Sequence, residues 1–179
     1  MSQNIVVLSG SPRKGGNTDG LVAAFIKGAE SASKNAVSFR VADMKINGCM
    51  GCGHCVFQEK GVCIQKDDMH EIMNALLKAD ALVLASPIYF YNVTAQLKIA
   101  IDRMCSLGDN PPIKRAVMLM TCGDESETAA ESAIVMHKRV CDYFAWETAG
   151  ILVATKVFMP GDIEGHEVLD KAKVLGQEV

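Results

Sequence analysis

Ser9-Gly10-Ser11-Pro12-Arg13-Lys14-Gly15-Gly16-Asn17-Thr18 stands where an apolar run ends and a helical pattern begins. Before it lies Ile5-Val6-Val7-Leu8; after it Leu21, Val22, Phe25, Ile26 and Ala29 recur at helical spacing. The stretch is therefore expected to turn a buried strand into a helix. Such a turn offers unpaired backbone N–H groups at a helix N-terminus, where the helix dipole also favours negative charge. Here it adds the hydroxyls of Ser9, Ser11 and Thr18, the Asn17 amide and the cations Arg13 and Lys14, so it reads as an anion cradle.

Outward from this turn, strands and helices alternate. A loop over 31–35 precedes a strand over 36–42, and Asp67 or Asp68 caps a helix running to about residue 78. The apolar run 81–85, closed by Ser86-Pro87, is a third strand. A helical pattern over 93–107 carries Leu97, Ile101 and Met104 on one stripe and is broken over 108–112. A fourth strand over 116–120 meets a turn at Thr121-Cys122-Gly123, and a helix over about 126–146 turns Ala130, Ala133, Ile134, Val140, Cys141 and Phe144 inward. A fifth strand over 151–155 and a last helix over about 164–175 close the chain.

Strands that are apolar throughout and alternate with helices argue a parallel sheet covered on both faces. Five of them suit a doubly wound α/β sheet of order 2-1-3-4-5, with its ligand beyond the C-terminal ends of strands 1 and 3. The loops 9–18, 86–94 and 121–125 are then the ones expected to meet it. One domain is expected over 1–179, with a Cys-rich, Gly-rich insertion at 46–66.

At 179 residues and 49% hydrophobic the chain can bury about two-thirds of its unfolded surface without disulfides. A formal charge of −3 and a pI near 5.8 provide no basic field for nucleic acid. No run reaches the roughly 18 to 20 apolar residues of a membrane helix, and the first residues lack a secretory pattern, so a cytoplasmic location is expected. In a reducing compartment clustered cysteines point to metal or redox chemistry. Four of the seven lie between Cys49 and Cys63; Cys105, Cys122 and Cys141 read as ordinary small buried side chains.

The first loop lacks G-x-G-x-x-G, and Gly16 stands where a Walker A motif needs its Lys. Residues 9–18 contain no Cys, which removes a tyrosine-phosphatase nucleophile. What remains is a pocket for a terminal phosphate that is held but not cleaved. The second loop, Ser86-Pro87-Ile88-Tyr89-Phe90-Tyr91-Asn92, holds three of the chain's ten aromatic residues in a row, which suits a flat ring system or, alternatively, a subunit interface.

With Gly10 to Thr18 after strand 1, Ser86-Pro87-Ile88-Tyr89 after strand 3, and Leu97-Lys98 and Asp102-Arg103 beyond, the sequence resembles the flavodoxin-like NAD(P)H-dependent FMN reductases over nearly its whole length. That resemblance implies that Ser9, Ser11, Arg13, Asn17 and Thr18 hold the FMN phosphate. It implies likewise that Pro87, Ile88, Tyr89, Phe90 and Asn92 line the flavin ring with Thr121 and Gly123.

The spacing Cys49-x2-Cys52-x2-Cys55-x7-Cys63 can turn three thiolates to one centre with a fourth nearby. It favours a [4Fe-4S] cluster over zinc, a disulfide or free thiols, and it resembles the compact motif of the iron–sulfur flavoproteins. His54 reads as solvated or hydrogen-bonded rather than a ligand. The expected function is an FMN-dependent oxidoreductase taking electrons from NAD(P)H or ferredoxin and passing them to a small-molecule or protein acceptor, singly through the cluster where there is one. The flavin carries that chemistry, so no catalytic side chain is named. The alternatives are a flavodoxin-type electron carrier and a non-enzymatic metal-binding or redox-sensing module on Cys49 to Cys63. No membrane or nucleic-acid partner is expected; a homodimer or homotetramer is.

Overall fold

The computed structural model describes residues 3–109 and 111–179. Five strands, β1 (Asn4–Ser9), β2 (Asn35–Arg40), β3 (Ala81–Pro87), β4 (Arg115–Thr121) and β5 (Glu147–Ala154), pair in the order 2-1-3-4-5, every neighbouring pair parallel. The expected doubly wound sheet is the one found. Successive side chains along a strand face opposite ways, so each strand feeds two cores. Val6, Leu8, Leu82, Leu84, Met118 and Met120 pack with α2 (Met69–Leu76), α3 (Ala95–Arg103) and α4 (Glu131–Phe144). Ile5, Val7, Val83, Val117 and Leu119 pack on the other face with α1 (Asn17–Ser31) and α5 (Val168–Glu178). Helices α1 and α5 touch backbone to backbone: a Cβ on Gly28 would lie 1.9 Å from the Lys173 carbonyl oxygen, and one on Gly176 2.1 Å from that of Phe25. Among the described residues no helix is long and apolar enough to cross a membrane.

Several boundaries differ from the sequence pattern. β2 stops at Arg40 and passes into a 3-10 turn over Val41–Asp43. β5 begins at Glu147, because its register opens on the pair Arg115–Glu147, which an apolar pattern cannot reveal. The last helix starts at Val168 rather than near 164: Gly165 has φ +73°, a conformation a right-handed helix cannot contain. α3 and α4 are shorter than expected, since 104–107 and 127–130 are 3-10 turns.

The insertion at 46–66 holds no strand and no α-helix, only a π-helical turn at His54–Gln58 entered through Gly53 at φ +70°. Its two ends are tied together. Lys45 N donates to Asp68 Oδ2 at 2.7 Å and Asn47 N to Asp67 Oδ2 at 2.9 Å. Asp67 also accepts from Met69 N at 3.2 Å, but its main partner is Arg103, so the expected helix cap is a secondary role.

Arg103 reaches the base of the loop from the end of α3. Its Nη1 donates to the Asn47 carbonyl at 2.9 Å and to Asp67 Oδ2 at 2.8 Å; its Nη2 donates to Asp67 Oδ1 at 3.1 Å and Cys63 Sγ at 3.3 Å. The two charged side chains are only 1% and 5% exposed. Burial alone would raise the Asp67 pKa, but the Arg103 and Asn47 donors outweigh it and hold the carboxyl below its ordinary value. Removing one partner leaves an uncompensated buried charge.

His137 on α4 is fully buried, with Nδ1 unpartnered among the described residues and Nε2 3.6 Å from Cys141 Sγ. Burial, helped by the Lys138 charge, pushes its pKa down from 6.5 to about 4.

Arg103→Met is expected to cost about 3–5 kcal/mol in chemical denaturation and to speed tryptic cleavage after Lys60 and Lys66. Unchanged stability and unchanged cleavage would show that the ion pair does not hold the loop. For His137, the unfolded chain takes up a proton between pH 6.5 and about 4 that the folded chain refuses. Stability is therefore full above that window and falls as pH drops through it, by about 3 kcal/mol. His137→Leu should flatten this part of the stability–pH curve; parallel curves for the two proteins would refute the assignment.

Candidate functional site

A cavity of about 420 Å³ opens where the C-terminal ends of the strands meet the helix N-termini. Its first wall is the loop after β1. Gly15 takes φ +66°, and Gly16 occupies the cap position of α1 with no side chain to bond the first-turn N–H groups, which leaves them available to an anion. The loop is braced from outside. Gly15 N donates to Asp19 Oδ2 at 2.8 Å, and Arg40 at the end of β2 clamps Asp19 at 2.5 and 2.6 Å while reaching the Ser11 carbonyl at 3.3 Å. On the other side Thr94 Oγ1 donates to the Gly10 carbonyl at 2.8 Å, an approach so close that a Cβ on Gly10 would lie 2.5 Å from that oxygen.

Ser11, Arg13, Asn17 and Thr18 line this cavity together with Pro87, Ile88, Tyr89, Thr121 and Gly123. Thr18 and Thr121 share a hydroxyl hydrogen bond of 2.8 Å, joining the first loop to the third. Asn17 is committed elsewhere: its Nδ2 donates to the Met159 carbonyl at 2.8 Å, and its Oδ1 accepts from Gly161 N and Ile163 N. Its amide thus fastens the segment after β5, and Arg13 does the same through Nη1 to the Phe158 carbonyl at 2.8 Å.

Ser9, Phe90 and Asn92 are not among the lining residues. Ser9 is buried at the end of β1 with its hydroxyl unpartnered among the described residues. Phe90 is fully exposed, and Asn92 turns its side chain onto Val93 N at 2.8 Å. The cause is a tight turn in which Tyr89 and Asn92 exchange backbone hydrogen bonds while Phe90 and Tyr91 take φ of +46° and +66°. Two adjacent bulky residues in the left-handed region are strained, and the turn throws them outward.

Cys122 and Asp124 lie in the loop over 121–125 that was expected to meet the ligand, though only Thr121 and Gly123 were singled out there; sequence reasoning missed Val157 and Phe158, which complete the wall. Phe158 and Met159 follow β5 just as the other site loops follow their strands. Applying the strand-end rule to all the loops would have found them. Cys122 is buried as expected, and burial pushes its thiol pKa up.

Cys49, Cys52, Cys55 and Cys63 do come together, lining a second cavity of about 160 Å³ with Arg103. Cys105 corrects an expectation: it is not an ordinary core side chain but lines the same cavity, its Sγ 3.8 Å from that of Cys55. Burial, with Cys55 and Cys49 beside it, pushes its thiol up to about 12. All the cysteines are free, and no three described Cys, His, Asp or Glu side chains already stand in metal-ligating positions. His54 is hydrogen-bonded, Nδ1 to Gln58 Oε1 at 2.8 Å, as expected. The two cavities share no lining residue, since Arg103 draws the Cys loop down α3 to a point about 12 Å along the helix from Ala95.

The profile of the NADPH-dependent FMN reductase family matches residues 3–142. An iron–sulfur flavoprotein of Archaeoglobus fulgidus is 36% identical over 97% of this chain and 77% of its own length. One from Methanocaldococcus jannaschii is 34% identical over 76% and 68%, and a second from that organism matches over only half of its length. Among solved structures, an NAD(P)H:quinone oxidoreductase from Methanothermobacter marburgensis superposes with a TM-score of 0.74 at 20% identity, over 99% of this chain and 96% of that one, which supports the fold. The chain belongs to the NADPH-dependent FMN reductase family, on its iron–sulfur flavoprotein branch, and is an oxidoreductase whose cofactor is FMN.

Proposed function

We propose that this protein takes electrons from NAD(P)H on an FMN seated in the cavity at the strand ends and delivers them to a separate acceptor, with a [4Fe-4S] cluster on Cys49, Cys52, Cys55 and Cys63 as the one-electron exit. The observation that carries the FMN site is the uncapped N-terminus of α1 opening into the same cavity as the loops after β3 and β4. A phosphate there meets first-turn N–H groups, the Ser11 and Thr18 hydroxyls and the Arg13 cation. The unpartnered Ser9 hydroxyl at the foot of the loop is a further donor in need of an acceptor.

When bound, FMN supplies two-electron acceptance from a nicotinamide and one-electron release, which no side chain here can do. The chain's own residues bind and orient. Pro87, Ile88 and Tyr89, with Thr121 to Gly123 beside them on the neighbouring strand end, where Ile88 N donates to the Thr121 carbonyl at 2.8 Å, would line a flat ring, and Phe158, packed on Gly123, extends the same wall. Tyr89 is 44% exposed, leaving an open flank for a second planar ligand.

For the cluster, the donor set is what fits: four thiols of one motif face one cavity, with sulfur the preferred ligand of iron in such sites. The Arg103 N–H donates to Cys63 Sγ at 3.3 Å and would orient that sulfur as a ligand. When bound, the cluster supplies single-electron transfer.

The test is a visible spectrum of anaerobically purified protein before and after NADPH, with iron and sulfide assays alongside. Flavin bands that bleach on NADPH, with about four irons per chain, are the expected result. Protein without flavin that takes up none on titration would refute the FMN site. Protein with flavin but without iron and sulfide would refute the cluster alone.

A further inference from the structure

Cys55 and Cys105 face one another from two short, well-defined turns. Cys55 sits in the π-helical turn His54–Gln58, where Val56 N and Phe57 N both donate to the Gly53 carbonyl and Gly61 N donates to the Cys55 carbonyl. Cys105 sits in the 3-10 turn Met104–Leu107, fixed by Ser106 Oγ on the Arg103 carbonyl at 2.9 Å. The sulfurs are 3.8 Å apart, and closing to a disulfide needs a movement of about 2 Å. Gly51 and Gly53, at φ +63° and +70°, are the points about which the loop can make it.

These two thiols also share a third cavity, about 430 Å³, which Cys49, Cys52 and Cys63 do not line. Val62, Leu77, Leu107 and Tyr143 form its walls, with Lys60 among them. A small molecule entering there meets this pair of cysteines and no others among the described residues.

We propose that Cys55 and Cys105 form a reversible dithiol–disulfide pair, oxidised by a small-molecule disulfide that enters this third cavity. One protein thiolate attacks a sulfur of the small disulfide, whose S–S bond breaks as one thiol leaves. The second protein thiol then attacks the mixed disulfide, forming the Cys55–Cys105 bond and releasing the other thiol. The two cysteines lose two electrons and two protons, and the two departing thiols carry them away. The product withdraws Cys55 from the four-thiol set, so oxidation and metal loading compete for the same sulfur. The pair itself rests on the thiol geometry and holds whether or not a cluster is the native occupant.

The experiment uses the full chain with FMN, treated with chelator and dithiothreitol and freed of both, then exposed to oxidised glutathione. Thiols are counted after unfolding, and the cross-linked peptides are sequenced by mass spectrometry. The expected result is loss of two of the seven thiols, with one cross-link between Cys55 and Cys105 that dithiothreitol reverses. Cys105→Ser, or Cys105→Ala if the serine variant folds poorly, should instead retain glutathione on Cys55. Bonds confined to Cys49, Cys52, Cys55 and Cys63 with Cys105 still alkylatable, or glutathione persisting on the unsubstituted protein, would overturn the proposal. Iron and sulfide content of the untreated protein reports separately on the cluster.

Discussion

The proposed FMN site depends first on the uncapped N-terminus of α1. A parallel sheet with helices on both faces leaves few backbone groups unpaired, and most of those lie at the strand ends. At the first of these ends the chain places Gly15 and Gly16, so no side chain competes for the opening amides of α1. Asp19, the acid that would repel an anion there, is neutralised by Arg40 from the end of β2. Thr94 then pins Gly10 from the side of α3, and Asn17 and Arg13 fasten the segment after β5 over the opening. Four strand ends are drawn to one point.

The second constraint is the buried pair Arg103–Asp67. It ties an otherwise irregular loop to the end of α3 and sets one guanidinium N–H on Cys63. Because the anchor lies near the far end of α3, the thiols gather in a cavity that shares no lining residue with the one at the strand ends. Arg103 thus joins the loop to α3, while the Lys45–Asp68 and Asn47–Asp67 bonds close its base.

The sheet order was readable because four of the five strands are apolar runs bounded by turn residues, and the right-handed crossover rule leaves few ways to join them. The turn that opens α1 at the strand end was readable because Gly, Ser and Thr after the apolar run ending at Leu8 interrupt a strand and start a helix. Phe90 and Asn92 were misplaced for a physical reason. An aromatic run says that rings are present but not that a two-residue turn at positive φ will face them to solvent. Cys105 was misread because its partner, Cys55, is distant in sequence and only the packing of two irregular turns brings them together. Arg103 stood inside a recognised motif, yet its burial against Asp67 could not be inferred from helical spacing, which marks faces but not tertiary partners.

The central claim is that the loop from Ser9 to Thr18 holds the phosphate of FMN. The most direct measurement is the dissociation constant of the unsubstituted protein and of Arg13→Glu for FMN and for riboflavin, which differ only in that phosphate. The account predicts that the substitution weakens FMN by about 10- to 100-fold and leaves riboflavin nearly unchanged. Equal affinity of the two proteins for FMN, or equal losses for both ligands, would contradict it.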